Sequence, residues 1–332
     1  MKKILNVAAD YVDETLDGLV AAHGDMYARP ERRVITRAGG KIPGKVGIVT
    51  GGGSGHLPVF AGYVGKGLLD AAAVGQVFAS PPAEDMVSAM RHADGGAGVL
   101  RLYGNYGGDV MNFDIAGEIA ELEHDIQSTS VALADDVASA PMAEAAKRRG
   151  VAGMVYAFKM AGALAEEMAP LAAVTAVARK AADACRSIGV ALTPCTVPQA
   201  GKPTFTIEDD EIEMGMGIHG ERGIWRDKLR SADAIVDEMT DRLLGDAPVG
   251  KGDRVSVLVN SLGATPVEEL YIMYRRLSRR LADAGATVVM PLVGRYATSM
   301  EMSGASITIC RLDGELERLL KAPCRCAFWS VG

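Results

Sequence analysis

Val46-Gly47-Ile48-Val49-Thr50-Gly51-Gly52-Gly53-Ser54-Gly55-His56 is a short apolar, β-branched run that breaks abruptly into glycine. A strand that feeds a glycine loop is how α/β proteins place ligands, at the carboxyl ends of their strands. The pattern recurs downstream. Gly98–Tyr103 runs into Gly104-Asn105-Tyr106-Gly107-Gly108-Asp109 and then into a helical pattern from Val110 to about Leu122. Ser130–Ala134 runs into Asp135-Asp136. Strands alternating with helices at this spacing predict an α/β fold with a mostly parallel sheet.

Outward from these loops, Val12, Leu16, Leu19 and Val20 share one face of a helix over Val12–Ala22. An alanine-rich helical stretch over Met160–Ile188 closes the first half. The proline-rich junction Thr193–Pro198 and Gly201-Lys202-Pro203 follows, then a strand-like, acidic segment over Phe205–Ile218. The change of character predicts two α/β domains, residues 1–190 and 191–332, with the boundary uncertain by about ten residues. The second, smaller domain carries strands at Arg254–Asn260, Thr287–Leu292 and Ser306–Leu312, a helix over Pro266–Ala284 and a surface loop at Gly245–Asp253. That mixture predicts a mixed sheet.

Composition narrows the function. The 332 residues carry a net charge of -7, and Lys147-Arg148-Arg149 is the longest basic block. Nucleic-acid affinity comes from clustered cations, so no nucleic-acid partner is expected. Aromatic residues make up only 5%, which argues against a stacking platform. No apolar run approaches the roughly 18 residues of a membrane span, and Met1–Val7 lacks the apolar core of a secretory signal. Five scattered cysteines fit a reducing compartment. A cytoplasmic protein without a membrane partner is the expectation. Glycine is the outlier: 39 of 332 residues is about 12%, against a usual ~7%.

Three glycine-bordered sites carry the chemistry. Gly51–His56 brings main-chain N–H groups close to a bound oxygen. It lacks the Lys-Ser/Thr of a phosphate-binding loop, since His56-Leu57-Pro58 stands there. A tight turn with an incidental histidine is the competing reading. Asp109, at the start of a helix, reads either as an N-cap or as a general base facing the same crevice as His56. In Met214–Gly223, four glycines surround His219 and leave its ring little cover from sequence neighbours. An imidazole so presented is a nucleophile that forms a hemiaminal with a ketone. No Cys/His/Asp group has metal-ligand spacing beyond the weak hint of Cys324-Arg325-Cys326, so no metal site is expected.

Taken together, Gly51–His56, Asn105-Tyr106 with Gly108-Asp109 and Asn112-Phe113, Thr196-Val197-Pro198 with Gly201-Lys202-Pro203, Gly215–Glu221, and Asn260 with Leu262–Pro266 resemble the substrate-binding subunit of dihydroxyacetone kinases. The similarity runs over nearly the whole chain. It implies a homodimer of two-domain subunits that captures a small ketose covalently on His219, with His56 and Asp109 acting on the hydroxyl that receives phosphate. Gly52, Gly53, Ser54, Gly55, Ser80, Gly104, Asn105 and Gly217 are implied to seat the substrate. The chain itself is expected to bind no cofactor. ADP or ATP and Mg are implied on a separate helical partner subunit, possibly recharged by a sugar phosphotransferase system.

The sequence departs from the family pattern at three residues and in a Gly245–Asp253 loop that is short for the family. Leu57 replaces a usual acid, Gly104 a frequent lysine and Gly107 a usual threonine. These changes predict a less polar, roomier site that takes dihydroxyacetone or a larger ketose of the erythrulose type. The competing function is a catalytically idle ketose sensor that controls a transcription factor or another partner. A generic nucleotide-binding α/β protein is disfavoured by the missing phosphate-loop lysine.

Overall fold

In the computed structural model, which describes residues 2–332, the run at Val46–Thr50 forms part of a strand buried along nearly its whole length. The chain begins with α1 (Tyr11–Ala22). It then lays down β1 (Tyr27–Ala28), β2 (Val34–Arg37), β3 (Gly47–Ser54), β4 (Ala71–Val77), α2 (Ala83–Ala93), β5 (Val99–Gly104), α3 (Gly107–His124) and β6 (Ser128–Leu133). The strands form a six-stranded sheet in the order β1-β2-β4-β3-β5-β6. β3 pairs in parallel with β4 and β5, and β5 with β6; only the edge pairs β1–β2 and β2–β4 are antiparallel. β4 is a run of small residues that carries little strand propensity, and it exists because β2 and β3 pair with its two edges while separate apolar cores cover its two faces.

Helices α4 (Met154–Glu166) and α5 (Leu171–Ala184) lead into β7 (Cys185–Thr193). The single long helix expected over Met160–Ile188 is therefore corrected to two helices and a strand. Pro170 has no N–H to continue a helix and disfavours helical geometry at the residue before it, and Met168 takes a positive φ of 60° at the break. Residue 190 lies inside β7.

After β7 come β8 (Glu211–Met214), β9 (Trp225–Lys228), α6 (Ala232–Asp246), β10 (Arg254–Ser261), α7 (Val267–Asp283), β11 (Thr287–Val288), β12 (Leu292–Gly294), β13 (Ser303–Leu312) and α8 (Gly314–Lys321). A short hairpin, β14 (Cys324–Arg325) and β15 (Ser330–Val331), ends the chain. The second sheet runs β11-β10-β13-β7-β8-β9, with β12 also on β10. It is mixed, as predicted: β11 and β12 lie parallel to β10, and the other pairs are antiparallel. Of the acidic segment Phe205–Ile218, only Glu211–Met214 is strand.

Side-chain alternation fixes the layers. On β10, Val255, Val257 and Val259 face a core with Val236, Met239 and Leu243 of α6 and Leu270, Leu277 and Leu281 of α7. Leu258, on the opposite face, joins a core with Ile48, Leu100 and Leu102 of the first sheet and with Tyr156, Phe158 and Val177 of α4 and α5. The outer face of the first sheet buries Val49, Val99 and Tyr103 against Met86 and Met90 of α2 and Phe113 of α3. The molecule is thus layered α2/α3, first sheet, α4/α5, second sheet, α6/α7.

The basic block at 147–149 is fully engaged with acids. Lys147 pairs with Glu144, Arg148 with Asp246, and Arg149 with Asp136. Arg148 is buried, and its guanidinium donates to both oxygens of Asp246 at the end of α6, at 2.9 and 2.5 Å; Arg186 donates to the same carboxylate at 2.6 Å. One carboxylate therefore ties the loop after β6 to the second sheet and its helix. Removing its charge strands a buried guanidinium. Asp246→Asn is expected to lower unfolding free energy by about 3–5 kcal/mol, read as a fall in the urea midpoint at neutral pH.

Candidate functional site

The functional groups come from both sheets. His56 follows β3, Ser80 follows β4, and Asn105 and Asp109 follow β5, all at the carboxyl edge of the parallel strands. His219 stands on the loop between β8 and β9 and reaches across to them. Its ring meets the His56 ring edge-on at 4.8 Å, the Tyr106 ring at 4.7 Å and the Phe78 ring at 5.4 Å.

His56 is 1% exposed. Its Nδ1 lies 2.7 Å from the Thr298 carbonyl oxygen, which can only accept, so Nδ1 carries the hydrogen. Nε2 is left as a buried lone pair without a partner. Phe78 stacks on the ring at 4.9 Å, and Phe60 meets it edge-on. Burial, reinforced by His219, pushes its pKa down to about 3, so the ring stays neutral.

Asp109 is the third residue of α3. The N-cap position belongs to Tyr106 and has no side-chain cap, which corrects the capping alternative. Its Oδ1 is buried without a partner. Burial raises its pKa to about 6, while the Ser80 hydroxyl and the His219 charge pull it the other way. A carboxylate poised near neutrality in a pocket has the properties of a general base.

His219 is held by Glu221. The ring Nδ1 lies 2.7 Å from Glu221 Oε1, and the His219 backbone N–H donates to Oε2 at 2.9 Å. Burial opposes ionisation of Glu221, but its bond to His219 and the charge of Arg149 hold its pKa down to about 2. An ionised carboxylate only accepts, so Nδ1 of the neutral ring is the N–H and Nε2 is free. Sequence reasoning quoted Glu221 inside its motif without giving it a role; a carboxylate two residues from a loop histidine was the available signal.

The glycine loop serves aromatic rings as much as any ligand. A Cβ at Gly52 would fall on the Phe60 ring, and one at Gly53 would come within 2.7–2.8 Å of the Phe78–Ala79 backbone. Gly55 has φ +100° and leaves room for the Phe78 ring. Phe78 itself is held at φ 59°, a conformation costly for a bulky residue and typical of functional sites. Nothing in the sequence announced Phe78. Asn105 gives both amide hydrogens to the carbonyls of Ala146 and Arg148, so its side chain braces the loop before α4. Ser54 ends β3, and Gly217 lies within the His219 loop, against the Glu221 and Arg149 side chains.

The three residues that depart from the family pattern are not equivalent. Leu57 borders a cleft of about 540 Å³ that it shares with Ser54 and Gly55 of the glycine loop and with Lys3, Tyr11, Arg295 and Phe328. A Cβ at Gly104 would sit 3.3 Å from both the Gly150 oxygen and the Met154 sulfur, so that position is packed rather than roomy. Only Gly107 faces open space. Among the described residues, no group of three His, Cys, Asp or Glu side chains is placed to hold a metal ion. No helix among them is long and apolar enough to cross a membrane.

The Dak1 domain matches residues 17–328. The chain belongs to the Dak1 family. A Dak1 relative of the same length, the dihydroxyacetone-binding subunit DhaK of PTS-dependent dihydroxyacetone kinase 1 from Listeria innocua, is 43% identical over 99% of this chain and 100% of its own. The D-erythrulose kinase of Mycolicibacterium smegmatis is 44% identical over 97% of this chain, which spans 55% of that enzyme. The native dihydroxyacetone kinase of C. freundii superposes with a TM-score of 0.90 and 32% identity over 99% of this chain, which spans 60% of it. The Dak1 fold also serves regulation. A dihydroxyacetone kinase operon co-activator, Dha-DhaQ, superposes with a TM-score of 0.88 and 31% identity over 95% of this chain and 97% of its own.

The raised pKa of Asp109 has a consequence for stability. A carboxyl whose folded pKa exceeds its unfolded value stabilises the fold below the unfolded pKa and loses that contribution as pH rises through about 6. Asp109→Asn removes the buried charge. It is expected to stabilise the chain at pH 8 by roughly 2–3 kcal/mol and to bring no gain below about pH 4, compared by urea unfolding at the two pH values.

Proposed function

We propose that this chain is the ketose-binding subunit of a dihydroxyacetone-kinase-type phosphotransferase. The observation that carries the proposal is the pair of buried, unpartnered acceptors, His56 Nε2 and Asp109 Oδ1, beside a histidine whose own Nε2 is left free. Leaving such atoms unbonded costs about 1–3 kcal/mol each. A bound polyol-like substrate relieves that cost, which ties the strain to substrate binding.

Nε2 of His219 attacks the ketone carbon, and the C=O π pair moves to oxygen, which takes a proton. That proton comes from solvent and is matched by the Nδ1 proton, which the substituted ring releases to solvent past a Glu221 that stays ionised. One proton thus moves in net from ring to oxygen, and the hemiaminal is neutral. Capture of this kind requires a carbonyl and excludes glycerol-like polyols on chemistry alone. The terminal hydroxyl rests with its single hydrogen on His56, a neutral acceptor too weak to take the proton, and turns that hydrogen to Asp109 when it reacts. Asp109, with a pKa near 6, is the base that removes the proton as phosphate arrives. Ser80, beside Asp109, and the glycines at 52, 53 and 55 shape the wall.

The remaining requirements of phosphoryl transfer are a nucleotide and charge-neutralising metal. In this proposal both are supplied by a helical partner subunit. The names of the Listeria and Mycolicibacterium relatives support dihydroxyacetone or a four-carbon ketose as substrate and a phosphotransferase-recharged donor. A cytoplasmic homodimer completes the proposal. The alternative, a ketose sensor, draws support from the co-activator with the same fold. Asp109 weighs against it, because a sensor needs the covalent anchor but not a base kept at a cost in stability.

The test is to incubate the chain with dihydroxyacetone or erythrulose, measure intact mass, then add a nucleotide-loaded helical subunit and assay ketose phosphate. An adduct is expected in the wild type, absent in His219→Ala, and present in Asp109→Asn with turnover reduced at least 100-fold. Ketose binding that survives His219→Ala with no adduct in either protein would sink covalent capture. Full adduct without transfer to or from any nucleotide-bearing partner would favour the sensor.

A further inference from the structure

Arg149 belongs to the first sheet's side of the molecule, yet its guanidinium is spent on the loop that carries His219. Nε and Nη2 meet Asp136 at 2.9 and 2.7 Å, Nη2 donates to the Gly215 carbonyl at 3.0 Å, and Nη1 stands 3.9 Å from Glu221 Oε2. Gly217 is the residue that lets these groups meet. A Cβ there would overlap Glu221 Oε2 and come within 2.5 Å of Arg149 Nη1. Glu221 closes the loop further by accepting Gly217 N–H through its backbone oxygen at 3.0 Å, besides gripping His219 twice.

We infer that Arg149 is a positioning residue: through Glu221 and Gly215 it latches the His219 loop onto the first sheet and thereby sets the tautomer and aim of the His219 ring. Asp136, buried and bonded to the Ala138 N–H, orients the guanidinium from behind. The chain of contacts Asp136–Arg149–Glu221–His219 spans the boundary between the two sheets. It lies opposite the Arg148–Asp246 pair, which ties the same loop to α6. Neighbouring arginines thus serve separate ends: Arg148 joins the folds, and Arg149 presents the nucleophile. The inference rests on the reading of His219 as the ketose anchor, and its readout is chosen to be separable from that reading.

The experiment uses the full chain labelled with 15N-histidine and compares wild type, Arg149→Met, Arg149→Lys and Gly217→Ala. Gly217→Ala places a methyl between Glu221 Oε2 and Arg149 Nη1 and leaves both side chains in the protein, so it tests the latch even where Arg149→Met unfolds. The expected result is loss of the Nδ1–H tautomer signature of His219 in Arg149→Met and Gly217→Ala. The dihydroxyacetone concentration for half-maximal adduct should rise about tenfold or more in both, with Arg149→Lys intermediate. Unchanged His219 signals together with half-saturation within twofold of wild type in Gly217→Ala would overturn the latch. A wild type that forms no adduct, while its His219 signals still shift in the variants, retires the covalent reading and leaves the latch standing.

Discussion

The hydrogen bond between Nδ1 of His219 and Glu221 leaves Nε2 as the free nitrogen of the ring, and the proposed chemistry of the site depends on that choice. A free imidazole exchanges tautomers, and only the form with its Nε2 lone pair exposed can attack a carbonyl. Glu221 can enforce that form because it stays ionised although half-buried. Its charge is kept there chiefly by His219, which bonds it twice, and to a smaller extent by Arg149. Met216 and Ile218 anchor the loop in an apolar cluster with Val151, Leu262 and Met302, while the bonds to Glu221 fix its polar side. That explains why four glycines can flank a residue whose aim matters to within a fraction of an ångström.

The opposite wall follows the reverse logic. His56 and Asp109 are buried groups whose pKa values burial moves against the charged form, one downward and one upward. The shifts divide the labour between them. His56 becomes a pure acceptor, locked by the Thr298 carbonyl and stacked under Phe78, whereas Asp109 becomes a base that titrates near neutrality. Two groups that look interchangeable as proton acceptors are separated by their surroundings into one that orients and one that reacts. The expense is borne as stability, which is where functional sites ordinarily carry it.

Much of the fold was legible because strand, glycine loop and helix follow one another at β3 and β5, and because β10 and β13 are long and β-branched. The failures have physical causes. β4 hides in small residues that form strand only when neighbours cover both faces, and β7 begins inside an alanine-rich run whose periodicity reads on as helix past Pro170. The positions of His56, Asp109 and His219 were legible as glycine-bordered polar residues, and the structure brings all three together. Phe78, Tyr106 and Arg149 were not given roles, because they act through contacts between segments far apart in the chain, whereas Glu221 acts on a residue only two positions away. The capping reading of Asp109 failed for a local reason: the helix starts two residues earlier, at Gly107, which places the carboxylate inside the first turn rather than ahead of it.

Glycine deserves a different reading from the one its sequence pattern suggests. At 52, 53 and 55 the missing side chains make room for Phe60 and Phe78, which dry the His56 ring; at 217 the missing side chain makes room for a salt-bridged pair. Ligand approach is therefore one use of these positions and aromatic or ionic packing another. The same distinction bears on substrate size. Of the three residues that depart from the family pattern, Leu57 borders the outer cleft and Gly104 is closely packed against Gly150 and Met154, which leaves Gly107 alone with space around it. A longer ketose would have to extend toward the exposed start of α3, past Asp109, and not toward the floor of the site. The carbonyl would stay at His219, and the chain's discrimination among ketoses would be set at the mouth, by the groups that meet the far carbon.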